Sequence, residues 1–176
     1  VVLDEDRGSL PFTLIHGEAL VACAAWALGE AGVDIVDATV VWEAVTEAGE
    51  DFVLHDSLCP MTPPDFIAAC IEQARSSGHA VVGVRPVTDT VKALSDGLVG
   101  DTLDRDSLLA VTSPLVVPAG VVVALARRPV SDLAQAVADL AAAGHPVETL
   151  PAPTEGRRVT SADDVRLLGT LTDARG

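Results

Sequence analysis

Apolar residues run through this chain in short blocks of two alternating kinds. The first kind is a continuous apolar run: Phe52 to His55, Ala80 to Val84 and Leu108 to Val117. Each predicts a strand buried on both faces, the signature of a sheet covered by helices. Val1 to Leu3, Val33 to Val36 and Pro146 to Leu150 predict shorter strands. The second kind is rich in Ala and Leu and carries helix start and stop signals. Gly17 to Ala31, closed by Gly32, predicts a helix that is apolar nearly all round and therefore well buried. Thr39 to Ala48 predicts a helix around Trp42 and Glu43, ended by Gly49. Thr62-Pro63-Pro64-Asp65 puts proline in a first turn and opens a helix to about Ser77, before Gly78. Pro118 to Ala126 and Ser131 to Ala143 predict two more, the second capped by Ser131-Asp132 and stopped by Gly144. Pro151 to Gly156 reads as a loop, and Ser161-Ala162-Asp163-Asp164 opens a last helix as a variant capping box.

Strands alternating with helices predict an α/β protein with a mostly parallel sheet. The pattern breaks once. From about residue 86 to 106, Val91, Leu94, Leu98, Val99 and Leu103 are scattered among Asp, Thr, Ser and Gly, too polar for a core element. A projecting two-stranded arm fits this stretch, and such an arm needs a second subunit to cover its apolar side. With no internal repeat and no low-complexity linker, residues 1–176 are expected to form one domain that includes the arm.

Composition narrows the function classes. Val, Ala and Leu fill the core, because 49% of residues are hydrophobic and only 3% aromatic. A formal net charge of −15 argues against a nucleic-acid backbone or an anionic membrane as partner, since both require a basic face. A small phosphorylated ligand stays compatible with that charge, because a few local arginines can hold it. Lys92 is the one lysine, so cationic work falls to arginine. Cys23, Cys59 and Cys70 are an odd number without Cys-x-x-Cys spacing, which predicts free thiols in a reducing cytosol. No stretch approaches the ~20 apolar residues of a membrane span, and no signal peptide is evident. A cytoplasmic location is the expectation.

Asp56 is the first candidate for chemistry. It closes the 52–55 strand ahead of a proline turn, where a parallel sheet presents side chains to its ligand crevice; capping a neighbouring helix is the alternative role. Phe52-Val53-Leu54-His55-Asp56-Ser57-Leu58-Cys59-Pro60, Pro86-Val87-Thr88-Asp89-Thr90-Val91-Lys92, Thr102-Leu103-Asp104-Arg105 and Arg158-Val159-Thr160-Ser161-Ala162-Asp163-Asp164-Val165 follow one another in an order and spacing that resemble the 2-C-methyl-D-erythritol 4-phosphate cytidylyltransferases. The resemblance implies a Rossmann-like nucleotidyltransferase fold, a three-layer sandwich with a dimerising β-arm. It implies transfer of a cytidylyl group from CTP to methylerythritol phosphate, with Mg²⁺, in non-mevalonate isoprenoid synthesis. By the same resemblance Asp56 is placed near the metal and the acceptor phosphate. Arg158 stands where the family has a catalytic lysine, and Arg7 where it has the arginine of its glycine-rich loop. Thr90 and Arg105, reaching from a partner subunit, and Ser113 would hold the acceptor phosphate. Read on charge alone, Arg105 could instead pair with Asp101, Asp104 or Asp106, and Arg7 could be a surface residue of an acidic turn.

The first fifty residues depart from that pattern. Asp4, Glu5 and Asp6 occupy the place of the glycine-rich triphosphate loop, Leu10 replaces its lysine, and Cys59 replaces an arginine. A Gly-Gly-x-x-Arg-x-x-Ser segment for the base has no counterpart before Thr39. Two readings follow. One is the cytidylyltransferase itself, working as a homodimer. The other is a degenerate relative that keeps the fold and arm and serves as a binding or scaffold subunit, for example paired with a competent homologue.

Overall fold

The structure, a computed structural model, describes residues 1–37, 39–88 and 90–173. Five strands form its central sheet: β1 (Val2–Leu3), β4 (Phe52–Asp56), β5 (Ala80–Pro86), β8 (Leu109–Val117) and β9 (Val147–Pro151). Their order is β1-β4-β8-β5-β9. β1 runs parallel to β4 and β9 parallel to β5, whereas β8 is antiparallel to both its neighbours. Four strands therefore point one way and β8 alone runs against them, as the Val-rich runs predict. Every residue of β4 is buried, which explains why its sequence does not alternate.

Helices cover both faces. On one, α5 (Leu133–Ala142), α2 (Trp42–Ala48) and the short α4 (Ala119–Val122) pack over Leu3, Phe52, Leu54, Val82, Leu115 and Val117. On the other, α1 (Leu20–Glu30) and α3 (Pro64–Ser77) cover Val53, Val81 and Val116. A third cluster joins α6 (Ala162–Asp173) to the hairpin of β2 (Leu14–Ile15) and β3 (Glu18–Ala19) through Ile15, Leu58, Val159 and Leu168. Pro64 opens α3, and Gly78 ends it at φ 72°, a left-handed turn that glycine takes without strain. Asp132 caps α5 by accepting from Gln135 N, and Ser161 Oγ accepts from Asp164 N at the start of α6.

Three expectations change. α1 buries one side only: Ala27 and Leu28 pack on the sheet, Leu20 packs against Ile15, Leu58 and Leu168, and Ala24 is buried on the same side, while Trp26 is 62% exposed. The helix is apolar all round in sequence, but only its i, i+4, i+7 face finds a partner. Val33 to Val36 forms no strand, because β1 pairs with β4 alone. The helix expected to run to Ala126 contracts to Ala119–Val122; its three consecutive valines are poor helix formers. Just beyond it, the Trp42 indole donates to Leu125 O.

The polar stretch does form an arm. β6 (Lys92–Ser95) and β7 (Leu98–Thr102) make a two-stranded hairpin, separate from the main sheet. Asp96 and Gly97 turn it with φ of 51° and 78°, the primed geometry that suits the twist of a hairpin.

Candidate active site

All four strands of common direction end on one side of the sheet, and the loops after β1, β4 and β9 meet there with the first residues of β8. They enclose a cleft of about 260 Å³ that includes Arg7, Asp56, Cys59, Thr112, Asp132 and Arg158 in its wall. Neither Leu3, Leu10 nor Trp42 lines it. This is the crevice position at which open α/β sheets bind ligands.

Asp56 is the centre of the cleft. Arg7 Nε donates to its Oδ1 at 3.0 Å, and Arg158 Nε donates to its Oδ2 at 2.9 Å. Leu58 N also donates to Oδ1 at 3.0 Å. The carboxylate side chain is 4% exposed and that of Arg7 9%, whereas Arg158 keeps 38% of its side chain in solvent. Arg7 is committed in three directions, since its Nη groups donate to Glu5 O and Ser131 O. It ties the β1 loop to the start of α5. Arg158 spends only its Nε, and its Nη edge has no hydrogen-bond partner among the described residues.

A buried layer holds Asp56 from below. Ser113 Oγ accepts from Asp56 N at 2.9 Å and lies 2.5 Å from His55 Nδ1. With the serine oxygen already accepting, its proton is best placed on Nδ1, which leaves the histidine proton on Nε2. Among the described residues that Nε2 has no partner, and neither does the buried hydroxyl of Thr112. Burial pushes His55 down to about 4, with Asp56 opposing that shift. Cys59 is pushed up to about 12 by burial and by Asp56, so it stays a neutral thiol.

The six expected site residues therefore separate into three groups. Arg7, Asp56 and Arg158 meet. Ser113 is fully buried beneath them, and its hydroxyl is engaged with Asp56 N and His55; it orders the site and does not line it. Thr90 and Arg105 lie exposed at the foot of the arm, where Arg105 Nη1 donates to Thr88 O at 2.7 Å and forms no ion pair with Asp101, Asp104 or Asp106 among the described residues. Asp89 of the same run lies outside the described residues. His55 and Thr112 were not singled out by sequence reasoning. His55 stands in the quoted strand motif, while Thr112 has no sequence signal, being one more residue of a buried strand.

The expected Mg²⁺ does not fit this donor set. Both oxygens of Asp56 are occupied by cationic donors, and no group of three His, Cys, Asp or Glu able to hold a metal occurs among the described residues. Mg²⁺ takes most of its oxygens from water and substrate phosphates, so the carboxylate offered to it must be open, and Asp56 would first have to release a guanidinium that then stays beside the ion.

A sequence profile of the 2-C-methyl-D-erythritol 4-phosphate cytidylyltransferases matches residues 30–170. The enzyme of that name from Nocardia farcinica is 36% identical over 135 residues, covering 75% of this chain and 57% of the relative. That from Frankia casuarinae is 36% identical over 130 residues, covering 68% and 45%. The chain thus spans about half the length of the curated relatives it matches. Among solved structures, the enzyme from Thermus thermophilus superposes with a TM-score of 0.66 at 19% identity, over 94% of this chain and 95% of that one. The 4-diphosphocytidyl-2C-methyl-D-erythritol synthase from Anaerococcus prevotii gives 0.68 at 15%, over 94% and 92%. These structures speak for the fold, and the profile and sequence relatives for the lineage: the chain belongs to the 2-C-methyl-D-erythritol 4-phosphate cytidylyltransferase family.

Proposed function

We propose that the cleft above Asp56 serves the family's reaction, transfer of a cytidylyl group from CTP to 2-C-methyl-D-erythritol 4-phosphate. The observation that carries this reading is the convergence of Arg7 and Arg158 on one buried carboxylate at the ligand end of the sheet. Phosphoryl chemistry of this kind asks mainly for positioning and charge neutralisation. Arg158 is placed to supply both through its open guanidinium edge, which can take two phosphate oxygens at once. Arg7 and Ser113 keep Asp56, and through it Arg158, in one orientation. Thr90 and Arg105 are proposed to hold the acceptor phosphate of a neighbouring subunit, since neither lines its own cleft.

A second reading has its own observation. The β1 loop carries Asp4, Glu5 and Asp6 where a triphosphate would approach, and all three are exposed. Carboxylates there repel a nucleoside triphosphate, which favours a subunit that binds or scaffolds without turnover. Calorimetric titration with CTP, with and without Mg²⁺ and in the presence of methylerythritol phosphate, separates the two. Micromolar binding, together with pyrophosphate release that Arg158→Ala abolishes, establishes the enzyme. Absence of heat up to millimolar CTP removes it and leaves the scaffold reading.

A further inference from the structure

The misfit with Mg²⁺ points to a different role for the central carboxylate. Asp56 accepts three hydrogen bonds, two of them from guanidinium groups, and is almost fully buried. Arg7 cannot turn away from it, because the same guanidinium bridges Glu5 O and Ser131 O. A divalent ion at Asp56 would therefore face a cation that stays fixed, in a site where water screens little. What the cleft does leave unsatisfied are hydrogen-bond donors. Arg158 presents its Nη edge. Leu133 and Ala134, in the first turn of α5, line the same wall. Asp132 also lines it, but its Oδ1 is held by Gln135 N at the positive end of that helix, which tempers its charge.

We infer that Asp56 in this chain is the internal counter-ion of Arg7 and Arg158, not a metal ligand, and that the cleft takes a phosphate group on Arg158 without a divalent ion. The inference rests on the reading of the cleft as a phosphate site and adds how the phosphate is neutralised. Inorganic pyrophosphate is the probe, titrated calorimetrically in EDTA and again in excess Mg²⁺. The expected result is binding in EDTA that excess Mg²⁺ does not tighten, with some apparent weakening because Mg²⁺ itself complexes pyrophosphate. Arg158→Ala should weaken binding by about tenfold or more, as expected for a hydrogen bond to a charged group, and Arg158→Lys, which keeps the charge but not the planar fork, by less. Binding that requires Mg²⁺, binding indifferent to both substitutions, or no binding in either buffer overturns the inference. Arg158→Lys keeps a cation beside Asp56, so the test does not depend on a charge deletion that can unfold the protein. The two proposals fail separately. Metal-free pyrophosphate binding without CTP turnover leaves this inference standing and removes the enzyme, and turnover with strictly Mg²⁺-dependent pyrophosphate binding does the reverse.

Discussion

His55 is fully buried, and its ring shares a proton with Ser113 while Nε2 stays unpartnered. Its folded-state pKa, lowered from 6.5 to about 4, ties stability to pH. The unfolded chain takes up a proton below pH 6.5 that the folded chain refuses until about pH 4. The contribution of this residue is therefore fully present above 6.5 and is lost as pH falls towards 4. A shift of that size corresponds to about 3 kcal/mol between the two limits. Urea unfolding followed between about pH 7 and about pH 4.5 should show most of that decline, and His55→Asn, which keeps an acceptor for the Ser113 hydroxyl, should flatten it. A wild-type curve that is level over this range would show that His55 titrates normally. The Asp56 cluster belongs to the same scale. Removing one partner of a buried pair costs about 3–5 kcal/mol, and the exposure of Arg158 puts this one towards the lower end.

Elements differ in how much of them the residue pattern reveals. β4, β5 and α3 are legible because each is specified locally: continuous β-branched and apolar runs for the strands, Pro63-Pro64 and Gly78 as punctuation for the helix. The position of Arg7 is not local. Its bonds reach Asp56, 49 residues away, and Ser131, 124 residues away, so the acidic turn around it conceals a buried contact. The exposed side of α1 is likewise invisible in a uniformly apolar helix. Gly83 in β5 is a similar case, since its role depends on a neighbouring strand. It lies where the β5–β8 register shifts between Val82 and Val84. A Cβ there would meet Ser113 O at 2.8 Å, Thr112 Oγ1 at 3.0 Å and Phe66 Cε1 at 3.2 Å. The closest of these is backbone, which cannot rotate aside. Gly83→Ala is expected to cost about 1–3 kcal/mol in urea unfolding through overpacking, and to disturb the cleft wall at Thr112. An unchanged midpoint would mean that β8 yields at no cost.

At the scale of the whole molecule, the arm is the element that the fold leaves unfinished. Leu94 and Val99 pair across the hairpin at 73% and 70% exposure, and Leu98 is 74% exposed. A lone two-stranded hairpin is marginal in water, so an arm with three bare aliphatic side chains gains most by being covered. A second copy of the chain is the proposed cover, because it would also bring Thr90 and Arg105 towards a neighbouring cleft. The net charge of −15 opposes that contact at long range. Association is therefore expected to strengthen as salt rises from about 20 to 300 mM, the range over which the Debye length falls well below the size of the domain. Sedimentation velocity should show a dimer that becomes more complete with salt. The double substitution Leu94→Ser and Val99→Ser should return it to monomer. Urea unfolding of that monomer should still show cooperative loss of the core, since neither side chain packs against the sheet. A wild-type chain that is monomeric at every salt concentration would remove self-association through the arm. The bare face would then belong to a different partner, and pairing with a competent homologue would become the arrangement to test by co-expression.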